Sequence, residues 1–135
     1  MHPTGNIIAD TICRTAELGL AITGASDAGD YTLIEADATA YTDTCPTCGN
    51  VCVFRAHPHR RLVDLPVVGF STRLRVRLPR YRCIHTACPM KYYQAQLACA
   101  APGKKVTYRV TRWILQRLAI DRMSISAIAK ALGIG

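Results

Sequence analysis

The chain has 135 residues, half of them apolar, and a formal charge of +8. That length holds one ordinary domain or two small ones, and the apolar share excludes global disorder. No apolar run reaches the roughly eighteen residues that a membrane-spanning helix needs, and Met1 to Ile8 carries no Lys or Arg to start a secretion signal, so the expected location is the cytosol.

The charge is segregated. Residues 1–54 hold one basic residue, Arg14, against seven acids, a net of −6, whereas residues 55–135 hold sixteen basic residues against Asp64 and Asp121, a net of +14. Solubility alone does not separate the signs in this way; a basic excess confined to one part of a chain is what a phosphate backbone selects for.

In chain order, Ile7, Ile8, Ile12 and Ala16 recur near a helical period, which predicts a short helix over Asn6 to Thr15. Leu18 to Thr23 and Tyr31 to Ala38 read as strands joined through the turn residues Asp27-Ala28-Gly29-Asp30. A polar stretch leads into Cys45-Pro46-Thr47-Cys48-Gly49, and Val51 to Arg55 reads as a short strand. His57-Pro58-His59 is excluded from helix interior by its proline. Ser71 to Leu78 is the clearest strand: Thr72, Leu74, Val76 and Leu78 share one face, Arg73, Arg75 and Arg77 the other. Ala101-Pro102-Gly103 reads as a linker, Thr107 to Ile120 as a helix, and Ser124 as the N-cap of a second helix, Ile125 to Leu132, ended by Gly133.

Seven cysteines without a secretion signal point to metal rather than disulfides. Cys45 and Cys48 form C-x2-C, Cys83 and Cys88 form C-x4-C, and a tetrahedral zinc ion wants four such sulfurs. The strands between the pairs suggest a zinc ribbon. Cys52, three residues beyond the first pair, and His85, inside the second, remain alternatives for the site. With four thiolates the site has no open position for water, no Glu lies beside the cysteines, and no His-x-Glu element is present, so the metal is expected to be one structural zinc and the chain not an enzyme.

Around these pairs lie Arg55, His57, His59, Arg60, Arg61, Arg73, Arg75, Arg77, Arg80 and Arg82, and Lys104, Lys105, Arg109 and Arg112 line the start of the first C-terminal helix. Arginine forks fit phosphates and guanine edges, so these side chains are the candidate DNA contacts. The segment Ser124 to Ile134 looks like the support helix and turn of a helix-turn-helix, with the chain stopping where a recognition helix would begin.

The motifs CPTCG at 45–49, His57, Arg60-Arg61, Leu65-Pro66, the arginine strand 73–77, Arg80-Tyr81-Arg82-Cys83, Cys88-Pro89 and Ile128-Ala129 with Leu132-Gly133 together resemble the N-terminal region of bacterial insertion-sequence transposases of the ISL-three type. The resemblance spans roughly residues 10–135. It implies a zinc-binding domain whose ligands match Cys45, Cys48, Cys83 and Cys88, then a helix-turn-helix, and, in the full-length parent, an acidic-triad (DDE) nuclease domain of RNase H-like fold. That last domain is absent from these residues, so strand transfer is not carried over. The implied partner is the double-stranded terminal inverted repeat of the element, reached at the nucleoid.

The reading is therefore an α+β chain in three parts. Residues 1–44 form a helix and β-hairpin packing on the ribbon, 45–100 a β-rich zinc ribbon that binds DNA, and 104–135 the start of a truncated helix-turn-helix. Two other readings compete: a zinc-stabilised adaptor that homodimerises through the acidic N-terminal part, and a shortened transposase that represses transposition by occupying the repeats.

Overall fold

The computed structural model describes residues 13–39 and 41–134. The helix expected over Asn6 to Thr15 lies mostly outside the described residues. The α+β expectation is met: among the described residues seven strands form two sheets, and two α-helices follow them.

The larger sheet has the order β1-β2-β5-β4. Strand β1 (Leu20–Asp27) and β2 (Thr32–Ala38) make the hairpin expected from Asp27-Ala28-Gly29-Asp30, with a bulge between Ile22 and Gly24. β4 (His59–Val67) and β5 (Phe70–Arg77) form a second hairpin, and β5 pairs with β2 in parallel. One face of this sheet supplies Leu20, Ile22, Ile34, Ala36, Leu62, Leu74 and Val76 to the main core, closed over by Leu18, Leu78, Leu97 and Cys99. The alternation read from residues 71–78 holds: Thr72, Leu74, Val76 and Leu78 are all at most 1% exposed. The corrected point is which sheet that strand joins. It was expected in the zinc ribbon, but it sits in the middle of the larger sheet, where its apolar face is covered and both its backbone edges are paired.

The tip of the β4–β5 hairpin places Val68 and Gly69 at φ +53° and +81°. Two positive φ values in succession are what a tight type I′ hairpin turn needs, and a β-branched residue is poorly suited to the first of them. Val68 is 83% exposed, so its side chain brings no packing in return. Val68→Asn is expected to stabilise the protein by about 1 kcal/mol, read as a rise in thermal midpoint; an unchanged midpoint would mean that the turn carries no strain.

The smaller sheet, β3-β6-β7, joins β3 (Val53–Ala56), β6 (Arg80–Arg82) and β7 (Tyr92–Gln94), all antiparallel. The β4–β5 hairpin is thus inserted between the two halves of this ribbon.

Helix α1 (Tyr108–Ala119) is N-capped by Thr107 and helix α2 (Ile125–Leu132) by Ser124, each through a hydroxyl accepting a backbone N–H. The chain before α1 runs along the exposed edge of β4, where Val63 N–H donates to the Lys105 carbonyl and Thr107 N–H to the Val63 carbonyl, so the edge is covered. Val110, Ile128 and Leu132 make a separate core with Val63, Leu65, Val106 and Trp113. Gly133 ends α2 at φ +71°, and a Cβ there would stand 2.6 Å from the Ser71 hydroxyl, so only glycine fits against β5.

Candidate metal centre and nucleic-acid interface

The ribbon's small core is made of cysteines. Cys45, Cys52, Cys83 and Cys88 are buried together with Tyr81, and Cys48, Met90 and Tyr93 pack against them. The first knuckle is a tight turn: the Gly49 N–H donates to the Cys45 carbonyl at 2.9 Å, the Cys45 N–H to the Asn50 carbonyl at 2.8 Å, and Gly49 turns the chain at φ +75°. In the second, the Cys83 N–H donates to the Lys91 carbonyl and the Cys88 N–H to the His85 carbonyl. Tyr93 ties the two halves, its hydroxyl donating to the Thr42 carbonyl at 2.8 Å.

The ligand atoms of Cys45, Cys48, Cys83 and Cys88 lie within 4.8 Å of one another. Cys45 and Cys88 Sγ are 3.7 Å apart, Cys48 and Cys83 Sγ 3.6 Å. Four sulfurs about 2.3 Å from a tetrahedral zinc stand about 3.8 Å from each other, so the set fits one structural zinc ion. The surroundings already favour thiolate at one corner. The Cys45 thiol is pushed down to about 6, first by the backbone N–H of Cys48 and against the effect of burial. Burial instead raises Cys88. Asn50 Nδ2 donates toward Cys48 Sγ at 3.4 Å. A cation is what lets all four sulfurs hold charge in so small a space.

Cys52 and His85, kept as alternatives, stand outside that group. Cys52 is buried beside it, but its Sγ faces the Asn50 carbonyl at 3.8 Å, and burial pushes its thiol up to about 11. His85 is exposed on the second knuckle.

Residues 42–88 match the family described as zinc-finger of transposase IS204/IS1001/IS1096/IS1165. Over that segment the chain is similar to the zinc ribbon of ISL3-type transposases. In such a transposase this ribbon is a non-catalytic region. Neither a curated protein nor a solved structure gives a match to the chain. Among the described residues no helix is long and apolar enough to cross a membrane.

The fourteen candidate DNA contacts fall into three groups in the folded ribbon and its neighbouring sheet. The first group is bound up in the fold. Arg60 donates to the Ala101 and Lys104 carbonyls and fastens the linker. Arg109, its side chain 15% exposed, clasps the buried Asp64 and also donates to the Cys13 and Arg14 carbonyls. These guanidinium donors are taken up by the chain itself, because a buried charge without a partner is costly.

The second group, on β5, meets two acids and a ring. In the parallel pairing Glu35 lies opposite Arg75 and Asp37 opposite Arg77. Arg77 bonds both Asp37 oxygens, at 3.0 and 3.1 Å, and Arg75 reaches Glu35 at 3.4 Å. Arg73 lies 4.2 Å over the Tyr31 ring and donates to the Gly133 carbonyl at 3.2 Å. The acidic hairpin expected to serve as a dimer surface thus lays two of its carboxylates along the arginine strand.

The third group is exposed, and none of its members has a carboxylate partner among the described residues: Arg55, Arg61, Arg80, Arg82, Lys104, Lys105 and Arg112, with His57 and His59 beside them. Arg80 and Arg82 alternate with buried Tyr81, so both project from the outer face of the ribbon, where Arg80 lies over Tyr92. His57 packs against Phe54, the two rings tilted by 47° with centroids 4.4 Å apart. The supporting aromatics Tyr31, Tyr92 and Tyr93 were not singled out from sequence; each meets its partner across a pairing that only the fold creates.

Proposed function

We propose that this chain binds the double-stranded terminal inverted repeats of an insertion sequence, with zinc held by Cys45, Cys48, Cys83 and Cys88 stiffening the ribbon that meets the DNA. The observation that carries the reading is the ribbon's outer face. Arg80 and Arg82 project from one short strand, Val53 lies opposite Arg82, Tyr92 supports Arg80, and no carboxylate neutralises either guanidinium among the described residues. Unpaired arginines beside aromatic rings on a rigid surface suit phosphate and base edges. Arg55, Lys104 and Arg112 extend the contact, and the α1–α2 pair would serve as the first part of a helix-turn-helix. Activity as a repressor that occupies the repeats needs the same contacts.

The test is a titration of the zinc-loaded chain against repeat and scrambled duplexes at two salt concentrations. Preference for the repeat is expected. Removing one phosphate-binding cation lowers the salt exponent by about 0.9, so Arg80→Ala with Arg82→Ala should lower it by about two. Arg77→Ala should leave it nearly unchanged, because Asp37 already neutralises that side chain. An exponent unmoved by the ribbon pair, with zinc content intact, would remove the ribbon face from the interface.

A further inference from the structure

The second face of the larger sheet, away from the main core, holds a cavity of about 230 Å³ lined by Tyr31, Leu33, Val63, Arg61, Arg73, Arg75 and Lys105. Four of its lining side chains are cationic and none is acidic. We propose that this cavity binds a phosphate group.

The register brings the cations together against their own repulsion. Arg61 lies directly opposite Arg75 in the antiparallel β4–β5 pairing, and Val63 opposite Arg73. Like charges opposite each other destabilise a sheet, so an arrangement that keeps them side by side calls for a counter-anion. Among the described residues the available one is Glu35, which touches Arg75 through a single contact of 3.4 Å and leaves the buried Arg75 Nε without a hydrogen-bond partner. Arg61 and Lys105 have no carboxylate partner among the described residues.

The frame is fixed around them. Arg73 is held by the Tyr31 ring and the Gly133 carbonyl, and the backbone of Lys105 is pinned to β4 by the Val63 N–H at 2.8 Å. The apolar floor of Leu33 and Val63 lowers the local dielectric and strengthens each charge-assisted bond. The size suits a phosphate rather than a drug-sized ligand, and guanidinium forks with one ammonium match its oxygens. The phosphate comes either from the DNA backbone or from a small phosphate in solution. As a backbone contact the cavity rests on the DNA-binding reading; as a phosphate site it does not.

Two arms test it on the zinc-loaded chain. In the first, inorganic phosphate is titrated while the Arg75 Nε–H resonance is followed. A saturable shift is expected. It should disappear in Arg61→Gln with Lys105→Gln, whose exposed side chains hold nothing else in place, and tighten roughly two- to fivefold in Glu35→Gln, where the internal competitor loses its charge. In the second arm, the Arg61→Gln, Lys105→Gln variant is titrated against a mixed-sequence duplex. A fall of about two in the salt exponent assigns the phosphate to the DNA backbone. An unchanged exponent with the first arm positive assigns it to a small phosphate. No shift in the first arm and no change in the second overturns the proposal. Neither arm touches Arg80 or Arg82, so failure here and failure of the ribbon reading are separable.

Discussion

Cys48→Ser is expected to release the zinc and unfold the ribbon. A serine hydroxyl keeps its proton near neutral pH and is a poor zinc ligand, which leaves three sulfurs for an ion that wants four. The ribbon has little else to hold it. Every residue of β3 is exposed, and its buried cluster consists of the cysteines with Tyr81. Structural zinc contributes on the order of 10 kcal/mol, comparable with the whole stability of a domain. The main core shares no residue with the cysteine cluster, so the larger sheet should outlast the ribbon. Metal analysis with hydrogen exchange checks both points: zinc released and ribbon amides unprotected, with amides of β2 and β5 still protected. Cys52→Ala is the control and should keep its zinc, since that thiol stands outside the four-sulfur group. Acid should mimic Cys48→Ser. Protons compete with zinc for thiolate, so the ion should be released as pH falls. A Cys48→Ser protein that melts normally with its zinc in place would remove Cys48 from the site.

The metal centre was legible because its signals are local. Cys45-Pro46-Thr47-Cys48-Gly49 encodes its own turn, Cys83 and Cys88 theirs, and a metal needs only that two turns meet. Helix ends were legible for the same reason: Thr107, Ser124 and Gly133 act within a few residues of themselves. The arginine strand was half legible. Alternation showed that Arg73, Arg75 and Arg77 share a face, but what that face meets depends on β2, about forty residues earlier and parallel to it, a pairing that no periodicity records. With register in hand, the segregated charge acquires a second meaning. Part of the acidic excess, Glu35 and Asp37, lies against part of the basic excess. β6 and β7 passed unnoticed because three residues are too few to show a period. Strand β4 runs through Pro66 to Val67, because the register shifts between Asp64 and Val67 and proline is tolerated at such an irregularity on the outer strand of a sheet.

The buried acid on β4 was noted in the sequence only as a rare negative charge, and its role now supports a large expected effect. Asp64 is 2% exposed, accepts the Thr107 hydroxyl at 2.9 Å and the Arg109 Nε at 2.8 Å, and so joins the first turn of α1 to the sheet. Arg109 carries the link onward to the Cys13 and Arg14 carbonyls and to Glu17. Asp64→Ala would leave the half-sheltered guanidinium with only the exposed Glu17 as counter-charge, and the Thr107 hydroxyl without an acceptor. Removing one partner of such a pair costs about 3–5 kcal/mol, whereas replacing both with apolar groups is often near neutral. The double variant Asp64→Leu, Arg109→Met should therefore be more stable than Asp64→Ala alone. That ordering, read from thermal or urea midpoints, separates a buried ion pair from a surface contact, for which Asp64→Ala would cost under about 1 kcal/mol and the double variant no less. Hydrogen exchange should place the destabilisation at α1 and the 105–107 segment that covers the β4 edge, while zinc content stays unchanged, because this network and the cysteine cluster have no residue in common.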